Sequence, residues 1–285
     1  MLAATPAVAT YSVVAVDTSQ RQVGGAGTSC VGSLSVRVIY GSVPGHGAVH
    51  AQAALDGPGR DGAVDRLAMD IAPADVITAI TAPAFDPNAQ SRQYGIVDLM
   101  ARAAGFTGTS TLAFAADRQG QTGAFTFSVQ GNILTSAAVI DQAVTSFEST
   151  GCDLADRLML ALEAGARNGE GDSRCTPDGI PSDSAFIEVD REGEPAGSYL
   201  LLDVTATAPQ NPLVMLRAQY DAWRATHPCP VPDAAPPDAG IDPGPGAGGC
   251  CSASALGSDH IAGAIVVVAA LRRRQSRRNA AGRQR

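Results

Sequence analysis

At 285 residues, 45% hydrophobic and 17% charged, the chain has enough apolar sequence for a sizeable core, and its length allows one large domain or two small ones. All 20 basic residues are arginine, which excludes a lysine base, a lysine Schiff base and a P-loop lysine. Up to Cys229 the chain carries 13 Arg against 24 Asp and Glu, a formal −11 that repels phosphate backbones, so no nucleic-acid partner is expected.

In chain order, Pro6-Ala7-Val8-Ala9 has the small-x-small form of a signal-peptidase site. Residues 1–9 therefore read as the remnant of a signal peptide, cut between Ala9 and Thr10. A folded domain is expected over residues 10–227. It opens with β-type alternation over 10–16, a turn at 17–20 and a return over 23–29, a hairpin signal. Further strands are predicted over 35–40, 48–53, 94–98, 111–115, 124–130, 184–190 and 199–204. A helix is predicted over 61–71, with Val64, Leu67, Ala68 and Ile71 on one face, and Pro73 begins a second. Ser136 and Asp153 are predicted N-caps of two more, and Pro212 opens a fifth carrying Leu213, Leu216, Tyr220 and Trp223. Strand blocks separated by helix pairs point to an α+β protein with antiparallel sheets covered by helices.

Motifs that carry chemistry are sparse. Gly24, Gly25 and Gly27 fall inside a hairpin strand, so they read as packing or bulge glycines and not as a phosphate cradle. His46 and His50 flank a turn without a third ligand and read as surface or half-buried side chains; no metal and no cofactor are expected. No nucleophile elbow supports a serine–histidine–acid triad. Val129-Gln130-Gly131-Asn132 ends a strand before a helix, where its two amides could hold a turn or face a substrate carbonyl. The segment 169–175, with Asp172 and Arg174, reads as a polar loop. Cys30, Cys152, Cys175 and Cys229 allow two disulfides in three connectivities; Cys152–Cys175 is the favoured bridge, with Cys30 either bridged or a buried thiol.

The segments TYSVVAVD, GAGTSCVGS, AVHAQAALDGPGRDGAVDRL, RQYGIVD, SVQGNILTS, LADRLMLALEAGARNGEGDSR and SAFIEVD occur in the order found in one bacterial family. Over residues 10–204 the chain resembles the domain-of-unknown-function family DUF1028, which is assigned to the N-terminal-nucleophile (Ntn) hydrolase-like fold. The resemblance implies a four-layer α-β-β-α sandwich. The family has no settled activity, and some of its members are joined to peptidoglycan-binding modules. Active enzymes of the wider fold use a Thr, Ser or Cys at the start of the first strand, with its own α-amine as base, and Thr10 matches that position. The implied candidate contacts for substrate or oxyanion are Ser29, Gln52, Gln130, Asn132, Asp172 and Arg174. The expected substrate is a peptide, an acyl amide or a cell-wall fragment. The alternative is a non-catalytic cell-surface binding or structural module on the same fold.

Residues 228–249 are dominated by proline and glycine and read as a semi-extended linker. In residues 250–285, Cys250-Cys251, an apolar run over 261–271 and an arginine cluster follow one another. That order resembles the MYXO-CTERM sorting tail of myxobacterial surface proteins. It implies export, anchoring at the cell surface or outer membrane, and the membrane as a partner. The apolar run is shorter than the roughly 20 residues that span a bilayer.

Overall fold

The alternation at the start of the chain produces the expected hairpin, β2 (Thr10–Asp17) and β3 (Gln22–Ser29), preceded by a short strand β1 (Ala7–Val8). The structure is a computed structural model describing residues 7–8, 10–55, 57–149 and 151–229. All belong to the unit Met1–Pro232. The expected sorting tail, with Cys250 and Cys251, and most of the linker lie outside the described residues. No helix among the described residues is long and apolar enough to cross a membrane.

Eleven strands form two antiparallel sheets among the described residues. One holds β11 (Leu200–Thr205), β10 (Ser184–Arg191), β3, β2, β9 (Phe125–Asn132) and β8 (Ala116–Thr122), in that order. The other runs β1, β5 (Gly47–Ala54), β6 (Arg92–Asp98), β7 (Arg102–Thr107), with β4 (Tyr40–Val43) also beside β5. The period-two alternation of the central strands sends one set of side chains to helices and the other to the facing sheet. Thus Tyr11, Val13, Phe127 and Val129 pack against α3 (Ala138–Ser149) and α4 (Leu154–Gly165), and Leu200 and Val204 lie in the same cluster as Leu213 and Leu216 of α5 (Pro212–Arg224). Val49, Ala51, Tyr94 and Ile96 meet α1 (Gly57–Leu67) and α2 (Pro73–Ile80). Val14, Val16, Val23, Tyr40, Val97 and Phe186 fill the space between the sheets. Each fully buried side chain of this size is worth about 1.5–3 kcal/mol relative to exposure.

The helix caps follow the predicted chemistry. Ser136 Oγ accepts from the Ala138 N–H at 3.1 Å, Asp153 accepts from the Asp156 N–H at 2.9 Å, and Pro212 stands first in α5. Other expectations need correction. The strand expected over 35–40 is instead a 3-10 turn, Val36–Ile39, running into β4; Val36 and Ile39 are buried one turn apart, and Ser35 Oγ accepts from the Arg37 N–H. Residues 111–115 are irregular, and the pairing lies on either side in β7 and β8, where polar or small residues mask the strand period. The first helix begins at Gly57 and ends at Leu67, followed by Asp70 at φ 58°, so the predicted 61–71 was displaced toward the C-terminus.

The disulfides are Cys30–Cys175 and Cys152–Cys229, with Cα separations of 5.8 and 5.7 Å, so the favoured Cys152–Cys175 bridge is wrong. The reason is α4. Its 12 residues form a rod of roughly 18 Å between Cys152 and Cys175, so proximity in sequence places the two at opposite ends of a helix.

Candidate functional site

Register places Ser29 of β3, Thr10 of β2 and Asn132 of β9 in one row across three adjacent strands. All three are fully buried, and the row points toward the facing sheet, where Gln52 of β5 and Gln93 of β6 meet it. Thr10 Oγ1 lies 3.2 Å from Ser29 Oγ, and Gln52 Nε2 donates to the Thr10 carbonyl at 3.3 Å. Residues directly opposite in neighbouring antiparallel strands hold their Cβ atoms about 4.5–5.5 Å apart, which puts the Asn132 amide beside Thr10.

The orientation of the amides follows from the acceptors around Gln93. Its Nε2 faces Thr107 Oγ1, Ala116 O and Gly131 O at 2.9, 3.1 and 2.9 Å, so that atom is the nitrogen. Gln93 Oε1 then receives Gln52 Nε2 at 2.9 Å and Asn132 Nδ2 at 3.2 Å. Asn132 Oδ1 is left buried with no hydrogen-bond partner among the described residues. A buried carbonyl without a donor costs about 1–3 kcal/mol, so this atom is poised to receive an N–H. With this orientation the open group is an acceptor, which suits an amine and not an oxyanion.

Two backbone outliers flank the row. Ala53, directly after Gln52, has φ 73°, and Ile133, directly after Asn132, has φ 53°. Positive φ is uncommon for alanine and a real outlier for a β-branched residue, and such strain concentrates at functional positions. The Ile133 N–H is held by Leu112 O at 3.0 Å, on a loop that leaves Leu112 and Phe114 exposed.

Asp172 and Arg174 secure the exit of β3. The Cys30 N–H donates to Asp172 Oδ2 at 2.7 Å, and Arg174 donates from Nη2 to Oδ2 at 2.9 Å and from Nε to Oδ1 at 3.1 Å. Burial raises the Asp172 pKa, while the Arg174 hydrogen bonds and charge and the Cys30 N–H oppose that rise. The polar loop is therefore an anchor: Asp172 is fully buried, and the Cys30–Cys175 bridge closes over the same place.

Of the residues singled out from sequence, Thr10, Ser29, Gln52 and Asn132 come together, and Asp172 with Arg174 stands one residue beyond Ser29. Gln130 belongs to the interior. Its Nε2 donates to Ser12 Oγ at 2.7 Å and lies 3.2 Å from His50 Nδ1, and its Oε1 receives Ser128 Oγ at 2.9 Å. His50 is fully buried, which corrects its reading as a surface or half-buried residue, whereas His46 pairs with Asp70 at 2.8 Å near the surface. Sequence reasoning missed Gln93, because the predicted strand began one residue after it. The signal was the alternation Gln93, Gly95, Val97, which continues one face of β6.

Two groups gather possible metal ligands, Cys30 with Cys175 and Asp183, and Cys152 with Asp156 and Cys229. In each, the two sulfurs are bonded to one another, which removes the thiolates that a soft metal needs. Three grooves are lined by other residues than the row: one of about 420 Å³ along α3 and α4, one of about 280 Å³ beside Glu170 and Pro181, and one of about 260 Å³ around His46.

Two antiparallel sheets in contact, helices on the outer faces and a buried polar row at one end define a mixed α+β protein with its candidate site between the sheets. The model of a family of unknown function, DUF1028, matches residues 10–221, and the chain belongs to that family. Among solved structures it is similar to the crystal structure of protein SPO2555 from Silicibacter pomeroyi, itself assigned to DUF1028. That structure aligns with a TM-score of 0.62 at 23% identity, over 76% of this chain and 89% of that one, and it supports the fold. No curated protein matches the chain.

Proposed function

We propose that the chain is an exported amide-bond hydrolase of the N-terminal-nucleophile type, with its sheets and helices forming the α-β-β-α sandwich of that class. Thr10 is the nucleophile once residues 1–9 are removed. The observation that carries this reading is the buried row Ser29–Thr10–Asn132, in which a hydroxyl at a strand start adjoins an acceptor that lacks a donor. The family match begins at the same residue.

Removal of the leader gives Thr10 a free α-amine, whose ordinary pKa of roughly 7.7–8.0 suits a base near neutral pH. The amine takes the Oγ1 proton as Oγ1 attacks the amide carbon. The C–N bond then breaks as that proton passes to the leaving nitrogen, and an ester remains on Thr10. Water, deprotonated by the same amine, cleaves the ester and restores the hydroxyl. Asn132 Oδ1 receives an N–H of the amine and turns its lone pair toward Oγ1. Gln93 and Gln52 position Asn132 and the Thr10 backbone, and Asp172 with Arg174 holds the β3 exit that carries Ser29. Two disulfides support export, because such bridges persist in oxidising compartments. The sorting tail completes the reading by anchoring the enzyme at the cell surface, where a peptide, acyl amide or cell-wall fragment is the substrate.

Intact-mass and N-terminal analysis of protein released from the cell surface tests this directly. The expected mature chain starts at Thr10, and Thr10→Ala lowers amide hydrolysis by at least about 10³-fold. A chain that keeps residues before Thr10 and hydrolyses nothing is a non-catalytic surface module instead.

A further inference from the structure

The edge of β5 beside Thr10 carries a strand slot. One edge of β5 pairs with β6 from Gly47 to Ala53. The other edge is shared: β4 pairs with residues 47–50, and β1 takes the remaining end, with Val8 opposite Ala53 and Ala7 opposite Ala54. The segment just ahead of Thr10 is thus laid antiparallel on one sheet, while Thr10 itself opens a strand of the other.

The slot is braced from below. Arg92 Nη1 donates to the Ala54 carbonyl at 2.9 Å, and Arg92 Nε donates to Asp86 Oδ2 at 2.8 Å, both side chains being largely buried. Ala53 holds its positive φ directly after Gln52, whose amide reaches the Thr10 carbonyl. Such a conformation is strained for alanine, and the surrounding pairing must offset it.

We infer that this slot is the acyl-side subsite for an extended peptide, an inference that rests on the hydrolase reading above. In the intact chain the covalent bond alone holds the acyl group on the Thr10 nitrogen within a few bonds of Oγ1. A substrate that acylates Oγ1 must bring its own carbonyl to the same neighbourhood, so its preceding residues run back along the path of Val8 and Ala7. Pairing with a sheet edge recognises the peptide backbone, and alternate side chains add selectivity. The substrate is therefore a peptide with at least two extended residues before the cleaved bond, and not a simple amide. Leader removal does two things at once: it frees the amine and it empties the subsite. The leader-bearing chain is blocked by its own segment.

The test measures binding apart from cleavage. Two chains carrying Thr10→Ala are prepared, one starting at residue 10 and one at residue 1. A fluorescent acetyl peptide reproducing residues 5–9 is titrated into each and followed by anisotropy. The chain starting at residue 10 is expected to bind at least about tenfold more tightly than the leader-bearing one. N-methylation of the two peptide amides that match Ala7 and Val8 is expected to weaken binding by a similar factor, because it removes the edge hydrogen bonds. Equal binding to both chains, or full binding of the methylated peptide, overturns the slot. If the wild-type chain starting at residue 10 cleaves simple acyl amides while the peptide binds neither chain, the slot falls and the hydrolase reading stands. If the peptide binds as expected and nothing is cleaved, the hydrolase reading falls and the edge is a peptide-binding site.

Discussion

His50 lies between the sheets with Gln130 Nε2 3.2 Å from its Nδ1 and the rings of Tyr40 and Phe186 centred 5.6 and 5.8 Å away. Gln130 Nε2 is a donor, so Nδ1 accepts and the proton sits on Nε2, which has no hydrogen-bond partner among the described residues. Burial lowers the His50 pKa from 6.5 to about 3. Between those values the unfolded chain binds a proton that the folded chain excludes, so stability rises with pH and is lost as pH falls below 6.5. The slope is about 1.4 kcal/mol per pH unit for one such group. Urea unfolding at two pH values measures it: between pH ~7 and ~4.5 the wild type loses roughly 2–3 kcal/mol more than His50→Gln. Asn132 is tested through the amine it is proposed to hold. Asn132→Asp places a carboxylate beside the α-amine of the mature chain and raises the pKa of that base. The acid limb of the kcat/KM profile then moves upward by about one unit or more, a shift that a purely structural role does not produce.

At the level of elements, β3 shows how the glycine-rich run is used. Its register with β2 and β10 is continuous from Gln22 to Ser29, so the glycines form no bulge. They make room: a Cβ on Gly25 would stand 2.4 Å from His50 Nε2, and one on Gly95 of β6 would stand 2.0 Å from Gln130 Oε1. Packing was one of the two uses that the sequence allowed, but which side chains fill the space depends on a strand of the other sheet. The Cys30–Cys175 bridge acts at the same end. It joins residues 145 apart and ties the β3 exit to the Asp172 anchor. The double change Cys30→Ser with Cys175→Ser is expected to cost roughly 3–5 kcal/mol, read calorimetrically, and to reduce hydrolysis as well. Cys152→Ser with Cys229→Ser opens the other bridge, which closes a shorter span of 77 residues; this lowers stability by a somewhat smaller amount and leaves hydrolysis intact, because that bridge ties the chain after α5 to the turn before α4.

Across the whole molecule, local chemistry was legible where it is decided locally. The hairpin of β2 and β3, the caps at Ser136 and Asp153, Pro212 at the start of α5, and the strands β5, β6, β9, β10 and β11 all follow from alternation, capping oxygens and the fixed φ of proline. Disulfide partners were not legible, since they depend on where α4 carries the chain. The site was legible in part. Thr10, Ser29, Gln52 and Asn132 could be named from order and resemblance, whereas Gln93, the hub that orients the amides, could not. Alternation in β9 separates Phe125, Phe127 and Val129 from Thr126, Ser128, Gln130 and Asn132, and read alone this predicts a polar face in water. Here that face is buried against a second sheet: Ser128 donates to its neighbour Gln130, Gln130 donates to Ser12 of β2 and Asn132 donates to Gln93 of β6, while Thr126 Oγ1 and Asn132 Oδ1 have no hydrogen-bond partner among the described residues. The sequence by itself determined the β2–β3 hairpin, the strands β5, β6, β9, β10 and β11 and the starts of α3, α4 and α5, because period and capping act within a few residues. Only the tertiary structure decided that the polar faces meet each other, that His50 is held neutral between them, and that one acceptor beside Thr10 is left open, because each depends on register between two sheets.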